Sequence, residues 1–509
     1  MSERFRITLG QINPSAGDLS GNAALVREVW QTGRTAGAQL VALPEMCLTG
    51  IAGPLMRMPA FLRDVVAHVE ALAADCADGP ALAIGAPWPE GDNLYNAYLI
   101  LQNGKIAQRV FKHRLAADER PLFDAGPISG PFAVAGLRIG SPIGADATAP
   151  DVAETLEETG AEILLVPNAA PYRRGIMDVR FNHMVARVIE TGLPLIYLNQ
   201  VGGQRANVFD GASFALNPGG RLLQQSPAFD PAVTHLDLER STEGWHVVQG
   251  DIAQQPSEIE RDYHALVVGL RDHLHKNGFA RAVVELSDTN AAFVAVVAAD
   301  ALGPENLRCV LMPAADTTEE VRDIAKAFAS KLGCTFDLVP ISSMQHHMQE
   351  TLEPFQRDGS LEDANAALTA RLRGLTLQML CDTMKALPLS TRTKTDLGRG
   401  PNVGGNLANG YAPIRDLYQT QINEVCRWRN EHHRVWMNGP ASKAIDLSAC
   451  GLSPDVEALD DILKILLDEH GTAEDCVAAG HERVKVKDVA ECITRQLMNQ
   501  ISLTPGPQL

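Results

Sequence analysis

Two blocks of alternating strand-like and helix-like sequence, joined by a polar stretch, constrain the fold of this chain more than any other feature. In the first block, FRITLGQIN, QLVALPE, LYNAYLIL, RVFK, LRIGSPI, EILLVPN and PLIYLNQ are short apolar runs of the kind that form buried strands. Helical spacing separates several of them. Leu25, Val26, Val29 and Trp30 recur on one helical face, and Asn22 stands where a helix cap belongs. The second block opens with a helix, IERDYHALVVGLRDHLHKNG. It continues with strand ARAVVEL, helix NAAFVAVVAADAL, strand RCVLMP and helix TEEVRDIAKAFASKLG. Strand–helix alternation predicts α/β layering in both blocks, with a doubly wound parallel sheet in the second. The polar segment GDIAQQPSE divides them, so domains are expected at 1–250 and 258–509. SLTPGPQL reads as a loose tail.

Length supports the division, because 509 residues exceed what one ordinary core organises. The net charge of −18 repels phosphate backbones and anionic lipid. No apolar run reaches the roughly 18 residues that span a bilayer. Nucleic acid and membrane are therefore not expected as partners. Nine cysteines (Cys47, Cys76, Cys309, Cys334, Cys381, Cys426, Cys450, Cys476 and Cys492) are scattered and form no CxxC pair. That usage reads as reduced thiols in a cytoplasm, not as a zinc site or disulfide framework. His346-His347 and His432-His433 are adjacent pairs whose side chains diverge, so no metal site is expected from them.

LPEMCLTG, VFKHRL and LRIGSPIGAD followed by ILLVPNAAPY resemble the three signature regions of the nitrilase, or carbon-nitrogen hydrolase, superfamily. The resemblance implies an αββα sandwich and a Glu-Lys-Cys triad. In that triad, Glu deprotonates the thiol, Lys stabilises the oxyanion and Cys forms a thioester. Glu45 falls at the base position and Lys112 at the lysine position. At the cysteine position the sequence runs Ile143, Gly144, Ala145, Asp146, so Gly144 replaces the nucleophile. Neither Ser141 nor Thr148 is placed to substitute. Glu119 is what remains of the family's second acid. Without the thiol, Glu45 and Lys112 are expected to persist as a buried ion pair between two strands.

The second block resembles the synthetase domain of glutamine-dependent NAD synthetases, an adenine nucleotide α-hydrolase (Rossmann-like) fold. The resemblance implies an SGGxDS loop between the first strand and its helix, whose glycines let backbone N–H groups approach pyrophosphate. Here Glu285, Leu286, Ser287, Asp288, Thr289, Asn290 and Ala291 occupy that loop. Both glycines are lost, two acids appear, and the magnesium-binding aspartate becomes Asn290. Ala314, Ala315 and Asp316 replace an adenylate-contacting region, and Ala366 and Ala367 replace a Glu-Asn pair. STRTKTD keeps Lys394 and Asp396, while GNLANG has Asn406 where an aspartate is expected.

The combined resemblance covers nearly the whole chain. Retained cores beside altered sites point to a catalytically inactive relative, with a structural, regulatory or nucleotide-sensing role. The alternative is a divergent active synthetase that amidates deamido-NAD using glutamine or ammonia. No cofactor is assigned. ATP, magnesium and deamido-NAD enter only if residual binding survives. The expected partner is a second copy in a homo-oligomer, or an intact synthetase subunit.

Overall fold

A computed structural model of the chain describes residues 3–314, 317–355, 361–399, 410–441, 454–498 and 505–509. They form two compact units, Met1–Glu258 and Ile259–Leu509.

In the first unit, period-2 patterning builds two sheets. One contains β1 (Arg4–Gln11), β2 (Leu40–Ala42), β3 (Ala81–Glu90), β4 (Asn93–Gln102) and β5 (Lys105–Phe111). The second contains β6 (Phe132–Val134), β7 (Leu137–Gly140), β8 (Ile163–Asn168) and β9 (Leu195–Asn199). A two-stranded ribbon follows, β10 (Val201–Gln204) and β11 (Asn207–Asp210). Strands β12 (Phe214–Asn217) and β13 (Arg221–Gln225) extend the second sheet; β14 (Ala232–Ser241) and β15 (Gly244–Val247) extend the first. The sheet orders are β15-β14-β1-β2-β3-β4-β5 and β13-β12-β9-β8-β7-β6.

Alternation assigns each side chain to a layer. Ile7, Leu9, Leu40, Ala42, Ile163 and Leu165 fill the space between the sheets. Their neighbours face outward. Val41 and Leu43 pack toward Val26, Trp30 and Val65, and Leu164 and Val166 toward Val152 and Val188. Helices α1 (Leu19–Thr35) and α2 (Pro59–Asp75) therefore cover one sheet, while α3 (Pro150–Glu158) and α4 (Ile176–Thr191) cover the other. The result is the αββα sandwich. Helix α1 starts one turn earlier than Asn22 suggests. Asp18 is the cap, accepting from Gly21 N at 2.9 Å, because Gly17 in a left-handed turn (φ 82°) sets it just before the first helical residue. Asn22 is buried inside the first turn and donates to the carbonyls of Ser15 and Leu48.

The second unit opens with α5 (Glu258–Lys276), β16 (Ala282–Glu285), α6 (Thr289–Leu302), β17 (Leu307–Leu311), α7 (Glu319–Leu332) and β18 (Thr335–Leu338). Then come α8 (Ser342–Leu352), α9 (Leu361–Met384), β19 (Leu387–Leu389) and α10 (Gln419–Glu431). The four strands are parallel, in the order β18-β17-β16-β19. One face packs Ala282 and Val284 with residues of α5, α6 and α10, and the other packs Val283 and Val310 against Leu372, Leu377 and Cys381 of α9. This is the doubly wound arrangement. α11 (Pro454–Leu463), α12 (Ala473–Ala478) and α13 (Arg483–Met498) form a further cluster around Tyr418.

The chain end is held, contrary to its loose-tail reading. Ala412 N donates to Pro505 O at 2.7 Å, Leu509 N donates to the Asp416 carboxylate at 2.7 Å, and Leu509 packs on the core. Among the described residues, no helix is long and apolar enough to cross a membrane.

Candidate functional site

The first candidate site lies where β2, β5 and β7 end. Glu45 follows β2 on a turn fixed from several sides. Tyr98 Oη donates to Leu43 O at 2.9 Å, and Gln200 Nε2 donates to Glu45 O at 2.5 Å. Met46 takes a left-handed conformation (φ 52°). Gly85 on β3 permits the close approach, since a Cβ there would stand 2.7 Å from Glu45 Cα.

Lys112 follows β5, its backbone N–H bonded to Asn96 O. Its ammonium donates to Glu45 Oε1 at 2.7 Å and to Glu119 Oε1 at 2.8 Å. Asn96 Nδ2 donates to the same two carboxylates, at 2.6 and 2.9 Å, and Ala169 N donates to Glu45 Oε2 at 2.9 Å. Glu45, Lys112 and Asn96 are all buried. Burial raises the Glu45 carboxyl, Lys112 pulls it back down, and Glu119 adds to the rise; the net shift is upward. For Lys112, desolvation works against the ammonium, yet the two carboxylates outweigh it and the net shift is also upward.

Gly144 stands on the elbow after β7, with φ 52°. A Cβ at this position would meet Glu45 Oε2 at 2.7 Å and Lys112 Nζ at 2.8 Å. A side chain at 144 would therefore project straight at the base and the ammonium. Glu45 and Lys112 are in direct contact with each other at 2.7 Å. Ser141 and Thr148 do not replace it: their hydroxyls are committed to Leu165 O and Ala145 O. Cys47 lies buried below the Glu45 turn, where desolvation pushes its thiol up to about 12, so it carries no nucleophilic thiolate.

Two supports escaped the sequence reading. Asp146 accepts from Arg114 N at 2.6 Å, His113 N at 3.1 Å and Ile143 N at 3.1 Å, pinning the elbow to the loop after Lys112. Burial raises its carboxyl to about 6 against those backbone donors. Asn96 was signalled by a polar side chain inside the apolar strand LYNAYLIL.

The second candidate site lies at the C-terminal ends of β16 and β19. The chain leaves β16 toward β17 and returns on the other side as β19, so the crevice between these two neighbours is the topological switch point, where open α/β sheets bind ligands. The structure brings Ser287, Asp288, Asn290, Lys394 and Asp396 around it. Ser287 is exposed in the turn. Asp288 caps α6, its carboxylate accepting from Ala291 N at 2.8 Å. Asn290 and Gln419 exchange side-chain hydrogen bonds of 2.9 Å in both directions, and Gln419 N donates to Thr395 Oγ1 at 2.8 Å. Asp396 accepts from Thr393 N and Oγ1. Lys394 donates to Asp468 at 2.6 Å. Glu285 lies 3.3 Å from Arg373; burial lifts its carboxyl to about 7, with Arg373 opposing and Asp288 adding to the rise. Asn406, Ala315 and Asp316 lie outside the described residues.

At the N-terminus of α6 the Asp288 carboxylate accepts from Ala291 N, and the Lys394 ammonium is ion-paired with Asp468. Among the described residues, no group of three or more His, Cys, Asp or Glu could hold a metal ion.

Residues 6–244 match the carbon-nitrogen hydrolase family and residues 262–499 match the NAD synthase family. The whole chain aligns with the glutamine-dependent NAD(+) synthetase of Rhodobacter capsulatus at 42% identity, covering 96% of that protein. The chain belongs to the glutamine-dependent NAD(+) synthetase family. A family member from Xylella fastidiosa is 31% identical over the full chain and 96% of its own length. The structure of the family enzyme from Acinetobacter baumannii, solved with ADP, superposes with a TM-score of 0.81 at 26% identity, covering all of this chain and 96% of that one.

Proposed function

We propose that this chain is a member of the NAD synthetase family that does not carry out glutamine-dependent amidation, and that it acts as a cytoplasmic binding or structural subunit. Its partner is a second copy of itself or an intact synthetase. One observation carries the reading: the residue aimed at the Glu45–Lys112 pair is a glycine, which cannot form a thioester. The self-satisfied crevice at β16 and β19 supports the same reading for ATP.

The test is an assay of the purified full chain with ATP, magnesium and deamido-NAD, supplied with glutamine or with ammonia. The expected result is neither glutamate release nor NAD. NAD formation from glutamine sinks the proposal.

A second reading, a divergent active synthetase, is favoured by 42% identity extending over the whole chain. It predicts NAD in the ammonia arm. NAD from ammonia with none from glutamine would assign activity to the second unit and leave the first without glutaminase chemistry.

A further inference from the structure

Cys309 and Cys334 come together on one face of the sheet in the second unit. Alternation along β17 sends Cys309, with Leu311, to the side covered by α6 and α7, while Val310 enters the opposite core. The parallel register sets Cys309 against Phe336 of β18. Phe336 packs on the same side as Cys309, and so does Cys334, two residues earlier. Cys309 is fully buried and Cys334 is half-buried. The Cys309 thiol donates to the Cys334 sulfur; that bond and burial both push its pKa up, so Cys309 keeps its proton.

The backbone at Cys334 is able to shift without disturbing the centre of the sheet. β18 is an edge strand. Cys334 precedes its ladder, directly after Gly333, which ends α7 in a left-handed conformation (φ 81°). The Cys334 N–H bonds Ala329 O at 3.0 Å in the closing turn of that helix. From Cys309 it lies one strand across and two residues along, about 8 Å between Cα atoms on ordinary strand spacings. A disulfide needs about 7 Å or less. An approach of roughly 1 Å by the α7–β18 turn closes the gap.

We propose that Cys309 and Cys334 form a reversible dithiol–disulfide pair, oxidised by a hydroperoxide, that tethers the edge strand β18 to β17. The Cys334 sulfur attacks the peroxide, the O–O bond breaks, and water leaves with Cys334 as the sulfenic acid. The Cys309 sulfur then attacks the Cys334 sulfur. The S–O bond breaks, the S–S bond forms, and the Cys309 proton departs with the hydroxyl as a second water. Two electrons pass from the sulfurs to the peroxide oxygens. A small thiol reverses the step by exchange. The proposal goes beyond the functional reading and holds whether or not the chain forms NAD.

The test treats the reduced full chain with hydrogen peroxide, blocks free thiols with N-ethylmaleimide and maps the peptides by mass spectrometry without reduction. The expected product is a peptide pair joined through Cys309 and Cys334, two hydrogens lighter than its parts and lost on adding dithiothreitol. In Cys309→Ala, dimedone should capture several-fold more sulfenic acid at Cys334 than in wild type. Amides of β18 should exchange roughly tenfold more slowly in the oxidised wild type than in the reduced. Cys334 passing to sulfinic acid with no link to Cys309 would overturn the proposal, as would an unreacted pair or a link from Cys334 to any other cysteine. A Cys309–Cys334 link that leaves exchange in β18 unchanged would overturn the tether. The wild-type map needs no variant to fold.

Discussion

At position 144 a hydrogen stands where any other residue would present a side chain to Glu45 and Lys112. At Gly144, the missing Cβ would lie within 3 Å of both the base and the ammonium, and those groups now hold each other. Gly144→Cys is therefore expected to do two things. It destabilises the chain by about 1–3 kcal/mol, because φ of 52° strains a non-glycine residue and Glu45 and Lys112 must part. It also places a thiol beside the Lys112 ammonium, which favours the thiolate, with Glu45 within reach to take the proton. Brief iodoacetamide treatment at pH 6 should label position 144 while Cys47 and Cys76, both buried, stay unmodified. A folded variant that remains unlabelled at position 144 even at pH 8 would refute this account. Much of this was legible in sequence. Glu45, Lys112 and Gly144 announce themselves by the segments around them. The buried ion pair was expected as well; what was not legible is the further support from Asn96 Nδ2 and the Ala169 N–H. Asp146 was hidden, because it acts by hydrogen bonds to a loop distant in sequence, whereas Asn96 left a signal as a polar side chain in an apolar strand.

At the scale of elements, strands were readable because alternation leaves few choices once both faces are buried, as Val283 and Val284 show by entering opposite cores. Helix starts were less readable: Asp18 and Asn22 are both good caps, and the turn at Gly17 chose between them. The π-helical turn Lys464–Asp468 was illegible, since KILLD carries no local signal distinguishing it from α-helix. The end of β16 yields a pH prediction. Glu285 is raised to about 7 from the ordinary 4.5, chiefly by burial. A carboxyl whose folded pKa is raised favours folding while protonated. Its contribution is fully present below about 4.5 and is lost as pH rises through 7. Glu285→Gln removes that titration. Urea midpoints at pH 5 and pH 8 should show the variant gaining on wild type at the higher pH. An identical difference at both values would mean that Glu285 is not desolvated as described.

Across the whole molecule, the apolar layers of each unit form its own core, and the candidate sites lie at strand ends. Because each unit has its own core, damage to one site should register in the stability of its own unit. Lys112→Met leaves the buried Glu45 and the partly buried Glu119 without their cation, a loss of about 3–5 kcal/mol. Asp288→Ala removes the cap of α6, a loss of about 1 kcal/mol. Hydrogen exchange read by mass spectrometry separates the two. Lys112→Met should raise exchange in slow amides of β2, β4 and β8, leaving those of β16 and β17 unchanged, and Asp288→Ala should do the reverse on a smaller scale. Equal acceleration in both sets by either variant would show that the units unfold as one, and the local reading of both sites would then fail together.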